Sequence, residues 1–466
     1  MIGHGWPHTA AKAPAPGWPF YAAGAFTDKN PWWPVMPDLA AYLHRVSFLL
    51  RQGEPVADIA IYAPTEDARA SMRPGASAYL NLWSAVRDRL GPSLVPAILD
   101  AGYNFDLIDD GTLKEAAARN YKVVVLPSVR WMPDATKSWL EGYVRAGGTI
   151  IALDRVPEGE WASLRASPAS ELTRRLAAAV PPDMQVTPTA PEIGFVHRRV
   201  QGADVYFVSN TGNAARDVTI RFRSRTPHLE LWNPFDGRIE RATPGADGSL
   251  FLQLEPYGSR VVVFRAAPGS APLKQTRSPV SAEDLKSGWT VNLGPSSNSV
   301  AVELPHSWAN NPATRHFSGT AIYRRRLDVP ASSRPAGTRV ILDFGGARSG
   351  EREALPDGTM RGNSFAALVA PPIREAAAVF VNERRAGVVW APPYRLDITE
   401  YLRDGSNDLA IEVYNTAINL LAEKGRLPDV NAVTERYGQR FRLQDMDVME
   451  PLPSGMLTVP RLVRER

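Results

Sequence analysis

The feature that most constrains this chain is a change of hydrophobic period near residue 193. Between residues 56 and 154, continuous apolar runs alternate with helical stretches; beyond 193, apolar residues recur at every second position. The first pattern belongs to βαβ units around a parallel sheet buried on both faces. The second belongs to antiparallel strands buried on one face. One domain does not serve both, so the chain reads as a multidomain protein, α/β followed by all-β. The 41 prolines and 35 glycines among 466 residues agree, because they punctuate a chain with turns and loops.

A pass along the sequence gives the parts. Residues 1–35 are irregular, with prolines at 7, 14, 16, 19, 31 and 34. Leu39, Tyr42, Leu43, Val46, Leu49 and Leu50 form one helical stripe, with Asp38 expected as N-cap and Gly53 as the stop. Strands are expected over 56–64, 103–109, 121–127 and 149–154, and helices over 79–90, 93–101 and 134–146. Together they make a Rossmann-like three-layer domain at 55–180. A helical linker over 155–192 leads to a small β-sandwich at 190–268. After the proline-rich linker 266–280 comes a second all-β module, 280–466, broken by a Gly/Arg/Pro-rich loop at 347–374. Its tail, containing LPSGMLTVPRL, is expected to pack on the sandwich.

Several functions are excluded or disfavoured at this stage. The 53 basic and 49 acidic residues are scattered and leave a net charge of +4, so nothing calls for a nucleic-acid partner. No apolar run reaches 18 residues, so no span crosses a membrane, and the first 20 residues lack the basic and apolar regions of an export signal. The absence of cysteine removes disulfides, thiolate metal sites, iron–sulfur clusters and a thiol nucleophile. His4 and His8 are spaced i, i+4, but Pro7 between them breaks the helix that a helical metal pair would need.

Two segments carry a resemblance. Val381-Asn382, Gly387, Trp390, Pro392-Pro393-Tyr394, Asp397-Ile398-Thr399, then Gly405, Asn407, Leu409, Ile411 and Val413 resemble the sugar-binding, galactose-binding-like jelly roll of family 2 glycoside hydrolases. His4, Trp6, His8, Asn30-Pro31-Trp32-Trp33, Arg45, Leu49-Leu50, Gly53 and Val56-Ala57-Asp58-Ile59 resemble the closing segment of the catalytic barrel in glycoside hydrolase family 106, the α-L-rhamnosidases. That resemblance implies that residues 1–54 are the end of a (β/α)8 barrel whose acid-bearing strands precede Met1. It also implies that 55–180 is amidotransferase-like; with no cysteine, amidotransfer is excluded there.

The resemblance implies hydrolysis of terminal rhamnose in polysaccharides or glycosides, in a periplasmic or secreted setting. The missing barrel portion is then the natural partner, and the alternative is a non-catalytic carbohydrate-binding or structural module. Glycoside hydrolysis needs two carboxyl groups flanking the bond. Residues 1–60 offer Asp28, Asp38, Glu54 and Asp58; with Asp38 a helix cap and Asp58 at a strand start, Asp28 is the remaining candidate and no catalytic pair is assigned. His4, Trp6, His8, Asp28 and Trp32 are the substrate-binding candidates, the aromatics by stacking on sugar C–H faces. Trp33 is expected in a core. Trp390, Tyr394 and Asn415 are secondary sugar-binding candidates. No cofactor or metal is assigned to this chain, although the family implies calcium in the complete enzyme.

Overall fold

The structure is a computed structural model describing residues 27–72, 81–161, 164–351, 367–426, 435–436, 438 and 450–466. Its contacts divide the chain into two units, Phe48–Lys274 and Met1–Ser47 together with Gln275–Arg466.

In the unit Phe48–Lys274, five parallel strands form one sheet: β1 (Ile59–Tyr62), β2 (Phe105–Ile108), β3 (Val123–Leu126), β4 (Thr149–Leu153) and β5 (Ala166–Ser167), in the order β2-β1-β3-β4-β5. This is a doubly wound order. The apolar runs are explained by burial on two sides. Ile59, Ile61, Val123 and Val125 face helices Leu94–Asp100 and Leu172–Ala179, while Ala60, Tyr62, Val124 and Leu126 face Leu113–Ala117 and Asp134–Arg145. The helix read over 134–146 is Asp134–Arg145 and stops at Gly147, whose φ of +92° suits glycine.

An antiparallel sandwich follows in the same unit. One sheet runs Glu54–Pro55, Ile193–Val200, Ala203–Asn210, Ser259–Arg265, His228–Trp232, Ile239–Ala242; the other runs Ser249–Leu254, Arg216–Phe222, Met184–Thr187. Val218, Ile220 and Phe222 alternate inward against Leu250, Leu252 and Leu254, as period 2 requires. Met184–Thr187 lies inside the stretch read as a helical linker. The four-residue strand is too short to show a period of its own, and pairing with Arg216–Phe222 decides its conformation.

The second unit is built on antiparallel sheets. A six-stranded sheet has the order Val300–Val302, Trp289–Leu293, Thr320–Val329, Gly405–Tyr414, Ala376–Val381, Arg384–Val389. A four-stranded sheet has the order Pro279–Asp284, Arg461–Glu465, Arg339–Asp343, Arg395–Asp397. Trp289, Trp308, Tyr323 and Phe344 fill the core between them, and the tail strand Arg461–Glu465 is central to the smaller sheet. The resemblance motif has a mechanical meaning here. Asn382 and Glu383 both have positive φ and close the hairpin between Ala376–Val381 and Arg384–Val389, as a two-residue turn of this hand requires. The Asn382 side chain donates to Tyr401 O at 3.0 Å and to Asn407 Oδ1 at 2.8 Å, while buried Asn407 donates to Arg403 O and Gly405 O.

The first described helix of this unit's segment runs Met36–Leu50 rather than 39–50. A 3-10 turn, Trp33–Val35, leads into it, and Pro37 is tolerated in the first turn, where its missing N–H is not needed. Asp38 therefore sits inside the first turn instead of capping it, and its Oδ2 accepts from Arg385 Nη2 at 2.8 Å.

Candidate functional site

A buried polar constellation lies where the sandwich of Phe48–Lys274 meets its parallel sheet. On Ile193–Val200, period 2 turns Ile193, Phe195 and His197 inward, so an imidazole occupies a position that the pattern reserves for a hydrophobe. His197 is 3% exposed. Its cross-strand partner is Tyr206, with ring centroids 3.8 Å apart and planes inclined by 19°. A buried polar ring must find partners on both nitrogens. Nδ1 lies 2.8 Å from Asp183 Oδ2 and Nε2 lies 3.2 Å from Asp204 Oδ1.

Each carboxylate is engaged again. Asp183, also 3% exposed, accepts from Tyr206 Oη at 2.9 Å and lies 3.5 Å from Arg223 Nη2. Arg223 Nη1 reaches Asp58 Oδ2 at 2.6 Å, beside the start of β1. Asp204 accepts from Ser224 Oγ at 2.7 Å. The backbone closes the same junction: Asp183 N and Met184 N both donate to Gly102 O, and Arg223 N donates to Asp183 O. Network and backbone together fasten the parallel sheet to the sandwich.

The charges follow from this geometry. Burial alone would push His197 down, but hydrogen bonds and charge from Asp183 and Asp204 outweigh it and raise the imidazole above its ordinary value. Burial would likewise raise Asp204, yet hydrogen bonds from His197 and Ser224 bring it down to about 2. The two shifts describe one pair and are counted once. A carboxyl held low contributes stability above its unfolded pKa of about 3.9 and loses it as pH falls toward the folded value. A histidine held high contributes below its unfolded pKa of about 6.5 and loses it as pH rises through the folded value. Both contributions are thus complete between about pH 4 and 6.5. Melting scans across pH are expected to show a plateau there and a falling acid limb that flattens in Asp204→Ala; an unchanged acid limb in that variant contradicts the assignment.

This arrangement is not a nucleophilic triad. Ser224 donates to Asp204 rather than to the imidazole, so no base is placed to take its proton. His197 and Asp183 are also closed off from solvent. Their work is to hold the junction. The alternation Ile193, Phe195, His197 was the available signal for this site; Asp183, after Pro181-Pro182, carried none.

The residues singled out from sequence fall in different surroundings. His4, Trp6 and His8 lie outside the described residues. Asp28 is exposed and accepts from Thr27 Oγ1 at 3.3 Å. Trp32 and Trp390, far apart in sequence, join one apolar cluster with Val35, Ala376, Ala378 and Tyr414 on the outer face of the six-stranded sheet. Tyr42 meets Trp390 edge-on with centroids 5.8 Å apart. Trp33 stands beside Trp32 with centroids 6.0 Å apart.

Tyr394 is 4% exposed inside the sandwich core; burial first, then the Glu375 charge, pushes its hydroxyl up to about 12. Asn415 is buried and donates to Phe317 O at 2.9 Å and Ser454 Oγ at 3.2 Å, while accepting from Gly319 N at 2.9 Å. Those contacts make Asn415 a brace between loops. Asn415→Ala leaves Gly319 N–H and Phe317 C=O without it, an expected loss of about 2–3 kcal/mol measurable by denaturant unfolding. A loss below about 0.5 kcal/mol contradicts the brace.

Comparison with known proteins adds a family signal. Residues 161–243 match the family model of glycoside hydrolase family 106, described as alpha-L-rhamnosidase. Asp183, His197, Asp204, Tyr206, Arg223 and Ser224 all fall inside that stretch. A putative beta-glucuronidase of Formosa agariphila is 24% identical over 298 residues, covering 56% of this chain and 24% of that protein. The structure of a rhamnosidase from Novosphingobium sp. PP1Y superposes with a TM-score of 0.66 at 22% identity, covering 94% of this chain and 42% of that one. The chain therefore spans about a quarter of the curated relative and less than half of the rhamnosidase.

Proposed function

We propose that the chain, whose residues 161–243 match the model of glycoside hydrolase family 106, is the C-terminal portion of a rhamnosidase-like hydrolase acting on terminal rhamnose of polysaccharides or glycosides. The observation that carries this reading is the coincidence of the family-matching stretch with the buried His197 junction. What the match covers is the fastening between two layers of an accessory unit. On this reading the chain supplies accessory units, and the reacting carboxyl groups come from a catalytic barrel outside it.

The acidic residues support the same division of labour. Asp38 is paired with Arg385 and Asp58 with Arg223, so neither is free to act as acid or base on a glycosidic bond. Among the described residues no group of three or more histidine or acidic side chains is arranged to hold a metal. No step of this account therefore runs through the calcium that the family implies. No helix of the described residues is long and apolar enough to cross a membrane. A periplasmic or secreted location is part of the proposal and rests on the family alone.

The alternative, a carbohydrate-binding module without chemistry, makes a different prediction. Calorimetric titration of the chain with L-rhamnose separates the two, because a rhamnose-binding module holds that sugar unaided and an accessory chain has no site for it.

A further inference from the structure

We propose that a cavity on the α/β layer of Phe48–Lys274 binds an acidic pyranose, a uronate-type sugar held by its carboxylate. The cavity has a volume of about 540 Å³ and lies between helix Asp134–Arg145, the start of β4 and the residues Trp161, Leu164 and Arg165. That volume falls in the range of about 300–1,000 Å³ common to small-molecule sites. Leu140, Ile150 and Trp161 give it apolar walls, and Arg145, Arg165 and Arg175 stand around it.

The charge arrangement selects the ligand. None of the three arginines forms an ion pair with a carboxylate among the described residues. Arg165 donates to Leu164 O at 3.0 Å and Arg175 donates to Ser167 Oγ. A guanidinium has five N–H donors in a planar fork, so these contacts leave most of each fork open. Three forks around one cavity match a carboxylate, which accepts bidentately. A tryptophan wall offers area to the C–H face of a ring. Glu141 also lines the cavity, and a carboxylate there can accept from ring hydroxyls.

A neighbouring cavity carries the opposite balance of charge. Across Trp161 lies a space of about 610 Å³ lined by Asp134, Glu141 and Glu160, with Lys137 Nζ 5.5 Å from the Trp161 ring centroid. Asp134 and Glu160 line that space only, with Lys137 as its one cation among the described residues, whereas three arginines stand around the first cavity, so an anion is favoured on the arginine side. The choice of a sugar over another anion rests on the glycoside-hydrolase reading; the choice of an acidic one rests on the arginines.

The test is calorimetric titration of the full chain with D-galacturonate, D-galactose and sodium sulfate in parallel. Galacturonate is expected to bind, with galactose and sulfate at least about tenfold weaker. Arg145 and Arg165 are exposed, so R145E/R165E is expected to keep the melting temperature and lose galacturonate affinity by at least about tenfold. W161A separately removes the ring contribution and lowers galacturonate affinity while leaving sulfate unchanged. Galactose binding as well as galacturonate, sulfate binding as well as galacturonate, or full affinity in R145E/R165E each overturn the proposal. No binding of galacturonate overturns it too. Failure here leaves the rhamnoside reading intact, because that reading is measured by turnover on a different sugar.

Discussion

Asp183→Ala is expected to destabilise the unit Phe48–Lys274 by about 3–5 kcal/mol, the cost of leaving a buried charge without its partner. Asp183 meets His197, Tyr206 and Arg223 while itself 3% exposed, so its removal leaves His197 Nδ1 and the Tyr206 hydroxyl without that acceptor and Arg223 with Asp58 alone. The vacated volume is small, and the loss is electrostatic and hydrogen-bonding rather than a cavity effect. A double variant separates these terms. Asp183→Leu with His197→Leu removes the charge and its partner together, and apolar replacement of a buried pair is often near neutral. The double variant is therefore expected to be more stable than Asp183→Leu alone, with an interaction energy of about 1–3 kcal/mol in the cycle completed by His197→Leu. Urea unfolding followed by circular dichroism reads both. Additive single and double effects would contradict a coupled junction.

Gly102→Ala is expected to cost about 4 kcal/mol or more, at the far end of single-substitution effects. The residue has a φ of +85°, and a Cβ built there lies 1.9 Å from Met184 O. The clash is with backbone, which cannot rotate away. It falls on the turn whose carbonyl accepts Asp183 N and Met184 N, so relief would break the same junction that the network holds. Gly147→Ala is the internal control. Gly147 has a similar φ of +92° but nothing within 4 Å of the added carbon, so only the conformational cost of about 1 kcal/mol applies. Equal losses in the two variants would show that the close approach at Gly102 does not matter.

Much of the architecture was legible because burial writes itself into periodicity. The runs Ile59–Tyr62 and Val123–Leu126 are apolar throughout since both faces are covered, and Ser249–Leu254 alternates since one face is. The parts that were not legible are short or tertiary. Met184–Thr187 and Ala166–Ser167 are strands only because neighbours pair with them. Asp38 looked like a cap because the 3-10 turn Trp33–Val35 that carries the helix start back to Met36 leaves no signature of its own. The site divides in the same way. His197 breaks an inward alternation and so announces itself, whereas the meeting of Trp32 with the Trp390 cluster depends on a sheet that local sequence does not reveal.

The proposed division of labour between this chain and a preceding catalytic barrel is tested most directly by turnover. The purified 466-residue chain is expected to release no nitrophenol from 4-nitrophenyl α-L-rhamnoside, and the chain joined to a preceding barrel is expected to release it. Rhamnoside cleavage by the 466-residue chain alone would contradict the account, because the acid and base would then have to lie within it.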